Sequence, residues 1–534
     1  MDSKYISLEK TNYFTSLMLD YIDEKEDLKS FYHRFPTESA YLEQAKEKLN
    51  SFSNREILVQ QFKAQLADLD LSKKQKKNLD LLAEKNTVTI TTGHQLNLFT
   101  GPIFFFYKIL QIIKQCKELN RSQDEINFVP VFWMATEDHD FEEINHFRCK
   151  DRIIHWDKPH GGPVGQLTTA GLDEVFKSFL SLIPNGKKKD ELTKLIELTY
   201  LSSETLTEAT RKLVHLLFKD YGLLMLDGDD KILKSVFAPT IEKEILSQNS
   251  FNQVNLQKDK LEELNYSIQV NPREINLFYI AHPLSRERII KDGEIYKVLN
   301  TSISFTEKEI VAEIQNSPEK FSPNVILRPL YQETILPNVA YIGGGGELAY
   351  WLELKKMFDS NSIPFPLLVL RNSMLIRTTK QLKKQLALNL KDEDLFLSSR
   401  TIVKSEIVEN SELVAALPQL KNELTHLFEK LENLATATDS SFADMVQAQK
   451  KKQLNGFEKI ENRLVKAELK TKESIQNRIE DLLKDLNQEK GLQERVKNFS
   501  DFEFLSIDSF IDSIYQNIQP FAFNFIINTL DEDI

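Results

Sequence analysis

The junction where Phe128-Val-Pro-Val-Phe-Trp-Met-Ala135 runs into Thr-Glu-Asp-His-Asp140 constrains the fold more than any other part of this chain. Its first half is apolar and rich in Val and Phe, the texture of a buried strand. Its second half crowds Glu137, Asp138, His139 and Asp140 together, with Glu142, Glu143 and His146 close behind. A parallel strand that ends in ionisable groups delivers them to the carboxyl edge of its sheet, where open α/β folds bind ligands. The competing reading is a solvated polar loop.

The same grammar recurs along the chain. Thr87-Val-Thr-Ile-Thr-Thr92 reads as a strand, followed by Gly93-His94-Gln95, a loop to Pro102 and an apolar helix from Ile103 to near Leu119. Two polar turns joined by a helical crossover lie side by side, which brings His94 and Gln95 toward Glu137 and Asp138. Further on, Asn338-Val-Ala-Tyr341-Ile342 runs into Gly343, Gly344, Gly345 and Gly346, then into a helix from Glu347 to Phe358. Four of the chain's 16 glycines fall in this one turn, where backbone N–H groups at a helix start can approach an anion. The turn matches neither the dinucleotide fingerprint nor the P-loop. Glu347 either complements the helix dipole or binds an ammonium group. Tyr221 to Leu226, ending in Asp227-Gly-Asp-Asp230 before a helix from Ser235 to Leu246, and Phe365 to Leu370, ending at Arg371, add two more such units. Between them Ile268 to Asn271 and Asn276 to Ile280 read as strands, and Arg288 to Val298 as a hairpin turning at Asp292-Gly293.

Composition narrows the function classes. A chain of 534 residues exceeds one ordinary core, so two or more units are expected. A formal net charge of −12 argues against nucleic acid as a partner, because phosphate backbones require clustered Lys and Arg. The run Lys73-Lys74-Gln75-Lys76-Lys77 reads as a solvated helix face. No stretch is long and apolar enough for a membrane span, and the N-terminus lacks a leader pattern, so a cytoplasmic, reducing location is expected. Two cysteines make no disulfide framework; Cys116 reads as core, and Cys149 as core or a thiol near the acidic turn.

From about residue 376 to 498 glycine nearly vanishes and Leu, Lys, Glu and Gln dominate. Leu413, Leu417, Leu420, Leu424, Leu427, Leu431 and Leu434 alternate spacings of four and three, a heptad seam. A turn at Ala435 to Ser441 and a second helix from Phe442 to Leu492 make an antiparallel hairpin arm, whose seam favours a second copy of the chain. The expected organisation is an N-terminal helical segment over 1–85, a Rossmann-like α/β core over 86–375 with an inserted subdomain near 250–330, the coiled-coil arm over 376–498, and a segment over 499–534 that returns to the core as a terminal strand.

His139, between two aspartates, reads either as an acid–base group or as a hydrogen-bonded structural histidine. His139, Asp140, Glu143 and His146 do not have the His-Glu-x-x-His spacing, so no metal site is assigned, and no Gly-x-Ser-x-Gly elbow is present. His94, Asp138, His139 and Asp140 are the candidate catalytic residues. Thr92, Gly93, Gln95, Lys108, Glu137, Asn145, Arg328, Tyr341, Gly343, Gly344, Gly345, Gly346, Glu347 and Arg371 are the candidate groups for binding substrate or nucleotide.

Taken together, Thr92-Gly-His-Gln95 with Thr100-Gly-Pro102, Phe132-Trp133 through Glu-Asp-His-Asp140, Ile144-Asn-His146 and Gly346-Glu-Leu-Ala-Tyr-Trp351 resemble the bacillithiol biosynthesis cysteine-adding enzymes, a family of cysteine ligases. The resemblance implies a Rossmann-like core shaped like class I aminoacyl-tRNA synthetases and nucleotidyltransferases, and a coiled coil used for homodimerisation. It implies that cysteine is joined to glucosaminyl-malate to give bacillithiol. Amide formation needs carboxyl activation; the cofactor is left unassigned, with ATP or ADP and magnesium as the candidate, and no Lys-Met-Ser-Lys-Ser-like motif is present. His94, where relatives often carry Gln, could then stabilise a transferring phosphate as the first histidine of synthetase motifs does. The alternative is a non-catalytic nucleotide-binding scaffold acting through the coiled-coil arm.

Overall fold

A computed structural model describes residues 3–486 and 491–530. It divides into two units, one made of Met1–Leu375 with Glu494–Ile534 and the other of Ile376–Gln493.

The first unit is built on a five-stranded sheet of β1 (Thr87–His94), β2 (Asn127–Met134), β3 (Leu224–Asp227), β4 (Asn338–Gly343) and β5 (Leu367–Leu370). Their order is β5-β4-β1-β2-β3, and every neighbouring pair is parallel. The strands are buried almost throughout, which is why they read as apolar runs and not as alternating ones. The threonines of β1 are the exception. Thr89 and Thr91 satisfy their hydroxyls by donating to Asn338 Oδ1 at 3.3 and 2.8 Å. Pro130 sits inside β2 at no cost to the ladder. The odd-numbered amides of β2 serve β1 (Asn127 N donates to Asn86 O), so the donor missing from Pro130 faces the other flank, where β3 pairs only from Val131 onward.

The chain runs outward from β1 through β2 to β3, then returns to the other side of β1 for β4 and β5. The carboxyl edge between β1 and β4 is thus a topological switch point. Helix α1 (Phe104–Ser122) makes the β1–β2 crossover, α2 (Lys231–Ser247) follows β3, and α3 (Gly345–Leu352) follows β4. Asp230 caps α2, its Oδ1 accepting from Ile232 N and Leu233 N at 2.8 and 2.9 Å.

Between α2 and β4 lies a second, antiparallel sheet with the order Ser304–Thr306, Ile295–Val298, Ser285–Asp292, Leu277–His282, Phe321–Pro323. Its Asp292-Gly293 turn has Gly293 at φ 63°, as the sequence predicts. The expected strand from Ile268 to Asn271 is instead an irregular strap. Its amides have left the ladder because the buried Glu353 carboxylate takes Gln269 N at 2.7 Å and Val270 N at 3.3 Å. The N-terminal region is mostly helical but opens with a strand, Ser3–Ser7, that pairs antiparallel with the terminal strand Asn524–Leu530.

The second unit contains the expected helical hairpin, Leu417–Ala435 and Ser440–Thr471, with Asp439 capping the second helix. That helix stops at Lys472 and resumes as Glu473–Asp485, so it is not one continuous element. The expected continuation toward Leu492 meets residues 487–490, which lie outside those described. The leucine seam also divides. Phe428, Ala435 and Val446 form the hairpin's own core with Leu424 packed against it, whereas Leu420, Leu427, Leu431 and Leu434 are exposed. No helix among the described residues is long and apolar enough to cross a membrane.

Candidate functional site

The carboxyl edge of the parallel sheet opens into a cavity of about 710 Å³. Register sets its floor. Gly93 pairs with Trp133 and His94 with Met134, so the turns that follow β1 and β2 emerge level with each other, and Ala135 N donates to His94 O at 3.1 Å. Of the residues singled out by sequence, Gly93, His94, Gln95, Lys108, Glu137, Asp138, His139, Arg328, Tyr341 and Glu347 all line this one cavity.

At the switch point stands a buried ion pair. Lys108, on the inner face of α1 and 1 % exposed, donates to Glu347 Oε1 and Oε2 at 2.8 and 2.9 Å and to Gly93 O at 2.5 Å. The Tyr341 hydroxyl adds a bond to Glu347 Oε2 at 2.9 Å. Burial pushes the Glu347 carboxyl up, but Lys108 and Tyr341 outweigh it and hold the group below the usual carboxylate range. Glu347 is therefore more than a helix-start charge; it ties β1, α1, β4 and α3 together. Beside it His94 packs against Phe104 and Phe105, each ring centroid 5.3 Å away, and its buried Nε2 has no protein partner. Burial, reinforced by the charges of Lys108 and Arg371, pushes its pKa down to about 3 against the pull of Glu347. At neutral pH it is an uncharged imidazole that can offer a hydrogen bond but no positive charge.

The acidic turn after β2 is fixed by short contacts. Gln95 Nε2 donates to Asp138 Oδ2 at 2.8 Å and to Glu143 Oε2 at 2.7 Å, joining the two turns. Asp138 Oδ1 accepts from His139 N at 2.7 Å. Burial raises the Asp138 pKa, yet hydrogen bonds from His139 and Gln95 and the field of Arg286 win, keeping it well below the usual range. His139 Nδ1 lies 2.9 Å from Arg286 Nη1. A guanidinium can only donate, so Nδ1 accepts and the ring proton resides on Nε2. Glu137 forms an ion pair with Lys234 Nζ at 2.6 Å; Lys234, 1 % exposed, also holds Asp229 at 2.9 Å. Burial pushes the Glu137 carboxyl up against the pull of Lys234.

Other expected site residues fall elsewhere. Asp140 is exposed ahead of the one-turn helix Phe141–Ile144 and does not line the cavity. Asn145 follows that helix, which turns it away. Its amide donates to His155 Nε2 at 2.9 Å and accepts from His146 Nδ1 at 3.0 Å, bracing the hairpin of His146–Cys149 and Arg152–His155. Thr92 is a strand tie, donating to Ile342 O at 2.7 Å. Gly344, Gly345, Gly346 and Arg371 line a separate cavity of about 190 Å³ with Tyr13, Phe14 and Glu494. There Arg371 Nη2 is paired with Glu494 Oε1 at 2.6 Å, and Gly343 O accepts from Arg371 N at 2.8 Å. Cys149 is buried, its thiol pushed up to about 11 by burial, which removes the reactive-thiol reading. Among the described residues no group of three or more His, Cys, Asp or Glu is arranged to hold a metal ion.

Sequence reading missed Lys234 and the arginines of the inserted sheet. The helix holding Lys234 was placed four residues late, and the Ser285–Asp292 strand three residues late, from Arg288 onward. The alternation Arg286-Glu-Arg288 was the available signal, since alternate strand residues share a face.

Comparison with known proteins places this geometry in context. The family model described as "Bacillithiol biosynthesis BshC, N-terminal Rossmann-like domain" matches residues 1–372, and that described as "Bacillithiol biosynthesis BshC, C-terminal coiled-coil domain" matches residues 374–530. Relatives similar to this chain carry the name "Putative cysteine ligase BshC". That of Flavobacterium johnsoniae is 45% identical over 99% of this chain and 100% of its own, and that of Flavobacterium psychrophilum is 46% identical over 99% of both. That of Christiangramia forsetii is 43% identical over the whole of both chains, 100% of each.

Proposed function

Because the chain belongs to the bacillithiol biosynthesis BshC family, we propose that it is a cysteine ligase that joins the carboxyl group of L-cysteine to the amine of glucosaminyl-malate. The observation that carries this reading is the charged cavity at the switch point, where Glu347, Asp138 and a neutral His94 converge within reach of one ligand. In the reaction a C–N bond forms, the amine gives up a proton and the carboxyl group loses one oxygen, so that oxygen must first become a leaving group. ATP or ADP with magnesium would supply that activation when bound, the carboxyl oxygen leaving with a phosphorus-containing group. Gly344, Gly345, Gly346 and Arg371, the expected phosphate groups, line the separate smaller cavity, where Arg371 is already paired with Glu494, so Lys108 and Arg328 are the cations of the main cavity that would face a phosphate beside the reacting carboxyl group.

Within the cavity each group has a distinct task. Asp138, held as an anion, positions the ammonium-bearing substrate. His139 donates from Nε2 while Arg286 occupies Nδ1. Glu137, its pKa raised by burial, is the carboxylate suited to take the amine's proton. His94 directs a hydrogen bond from Nε2 at the reacting carboxyl group. A nucleotide-binding scaffold working through its arm would need none of these. The exposed leucines of the arm are covered by a second copy, and the dimer works in the cytoplasm, where thiols stay reduced.

The test is direct. Purified protein is incubated with L-cysteine, glucosaminyl-malate, ATP and magnesium, and the product is read by mass spectrometry. Formation of bacillithiol that stops when cysteine or the acceptor is omitted supports the proposal. No adduct under any nucleotide condition sinks it.

A further inference from the structure

The cavity has a second wall of opposite character, built by the inserted sheet and the strap that leads into it. Arg286 and Arg288 stand at alternate positions of the Ser285–Asp292 strand, Arg273 comes from the strap, and Arg328 from the first turn of the Leu327–Ile335 helix. Two of the four acids that share the cavity are paired with lysines, Glu347 with Lys108 and Glu137 with Lys234, while Asp138 and Glu143 share the neutral Gln95 amide. Among the described residues none of the four guanidinium groups makes a close ion pair, although the Arg286 charge also supports Asp138 from a distance. Arg286 donates only to neutral acceptors: Ser322 Oγ and Pro323 O, both at 3.0 Å, and His139 Nδ1 at 2.9 Å. Arg328 gives Nη1 to Gln332 Oε1 at 3.0 Å, while its Nη2 is buried without a partner. Arg273 and Arg288 stand exposed on the lining, and among the described residues no carboxylate pairs with either.

A chain with a formal net charge of −12 thus keeps four arginines without a close ion pair on this cavity, against two acids, Asp138 and Glu143, in the same condition. A buried donor without a partner is costly, and Arg328 Nη2 is such a donor, one that a ligand in the cavity would complete. Guanidinium forks match planar carboxylates two bonds at a time. We infer that Arg273, Arg286, Arg288 and Arg328 form a dicarboxylate subsite, which takes the two-carboxylate end of the acceptor and leaves its amine facing the His94 and Glu347 edge. This rests on the ligase reading above and assigns one wall of the cavity to the acceptor and the opposite edge to cysteine. The inserted sheet is then the element that sets acceptor specificity.

The experiment uses the full chain and calorimetric titration with three probes: glucosaminyl-malate, methyl glucosaminide without carboxylates, and inorganic pyrophosphate. Arg273 and Arg288 are exposed, so the double variant R273Q/R288Q should fold as the wild type does. Its affinity for glucosaminyl-malate should fall at least about tenfold, with methyl glucosaminide unaffected. In turnover, the KM for the acceptor should rise by about the same factor, while that for cysteine moves less than about threefold. R328Q should show the same pattern independently. Unchanged acceptor affinity in both R273Q/R288Q and R328Q overturns the proposal, as does a loss confined to pyrophosphate, which would give the wall to phosphates. If the arginines govern acceptor binding but no cysteine adduct forms, the subsite stands and the ligase reading falls. If the adduct forms and the variants bind acceptor normally, the reverse holds.

Discussion

Asp138 is kept anionic by hydrogen bonds from Gln95 and His139 and by the nearby Arg286, so the proposed role rests on its charge more than on its shape. Asp138→Asn should lower cysteine addition by about a hundredfold or more, the scale of losing one electrostatic contact in a water-poor site. His94 is a neutral ring with a free Nε2, and on the proposed reading an amide should replace it. His94→Gln should retain activity within about tenfold, a barrier change of roughly 1.4 kcal/mol. A loss beyond a hundredfold would mean that the imidazole does what glutamine cannot. Glu353 makes a different prediction, about stability. Burial pushes its pKa up from 4.5 to about 7, against the hydrogen bonds from Gln269 and Val270 and the nearby charge of Lys258. The folded state therefore holds this proton more tightly than the unfolded chain. Stability falls as pH rises from about 4.5 to 7, by about 3 kcal/mol for a shift of this size. Glu353→Gln should flatten that slope, as measured by urea unfolding at pH 5 and pH 7.5; an unchanged slope would show that another group sets it.

At the scale of elements, the loop between β1 and α1 is the most constrained piece of backbone near the cavity. Phe99, Thr100 and Gly101 all have positive φ, at 49°, 69° and 63°. Three such residues in succession are costly, and the surroundings hold them: Tyr200 Oη accepts from Phe99 N at 2.8 Å, and Asn498 Nδ2 donates to Phe99 O and Gly101 O at 2.8 and 2.7 Å. A Cβ at Gly101 would lie 2.7 Å from Asn97 Cβ. Gly101→Ala should therefore cost about 2–3 kcal/mol in denaturant unfolding and reduce turnover by displacing Lys108 and His94. How much of this could be read from sequence depended on the element. Strands β1, β2 and β4 were legible because buried parallel strands are apolar runs that end abruptly in polar turns. The strap from Ile268 to Asn271 has the same apolar flavour, but its amides are taken by Glu353, a partner far along the chain that no local pattern announces. Asn145 was grouped with the acids by spacing; one helical turn, Phe141–Ile144, was enough to aim it at His155 instead. The arginine wall stayed hidden because Arg286 and Arg288 look like a solvated edge strand until the cavity they face is known.

For the molecule as a whole, the strand order β5-β4-β1-β2-β3 explains why segments more than two hundred residues apart, Gly93–Gln95 and Tyr341–Glu347, meet at one edge. The arm carries its own prediction. The heptad pattern serves two faces, since Phe428 and Leu424 close the hairpin and Leu427, Leu431 and Leu434 remain exposed. Leu427→Glu with Leu431→Glu should yield monomers in light scattering with helix content unchanged, whereas Leu424→Glu should unfold the hairpin itself. An unaltered mass for the first pair would mean that these exposed leucines do not hold a second copy. The pairing of Ser3–Ser7 with Asn524–Leu530 has a consequence for how the chain is made. The first strand to leave the ribosome must wait for the last, through on the order of half a minute or more of synthesis at bacterial rates. Until release, the nascent chain offers an unpaired strand edge to its neighbours on the polysome. A premature stop that removes Asn524–Leu530 would leave that edge open, a defect exposed at Ser3–Ser7, some five hundred residues from the lesion.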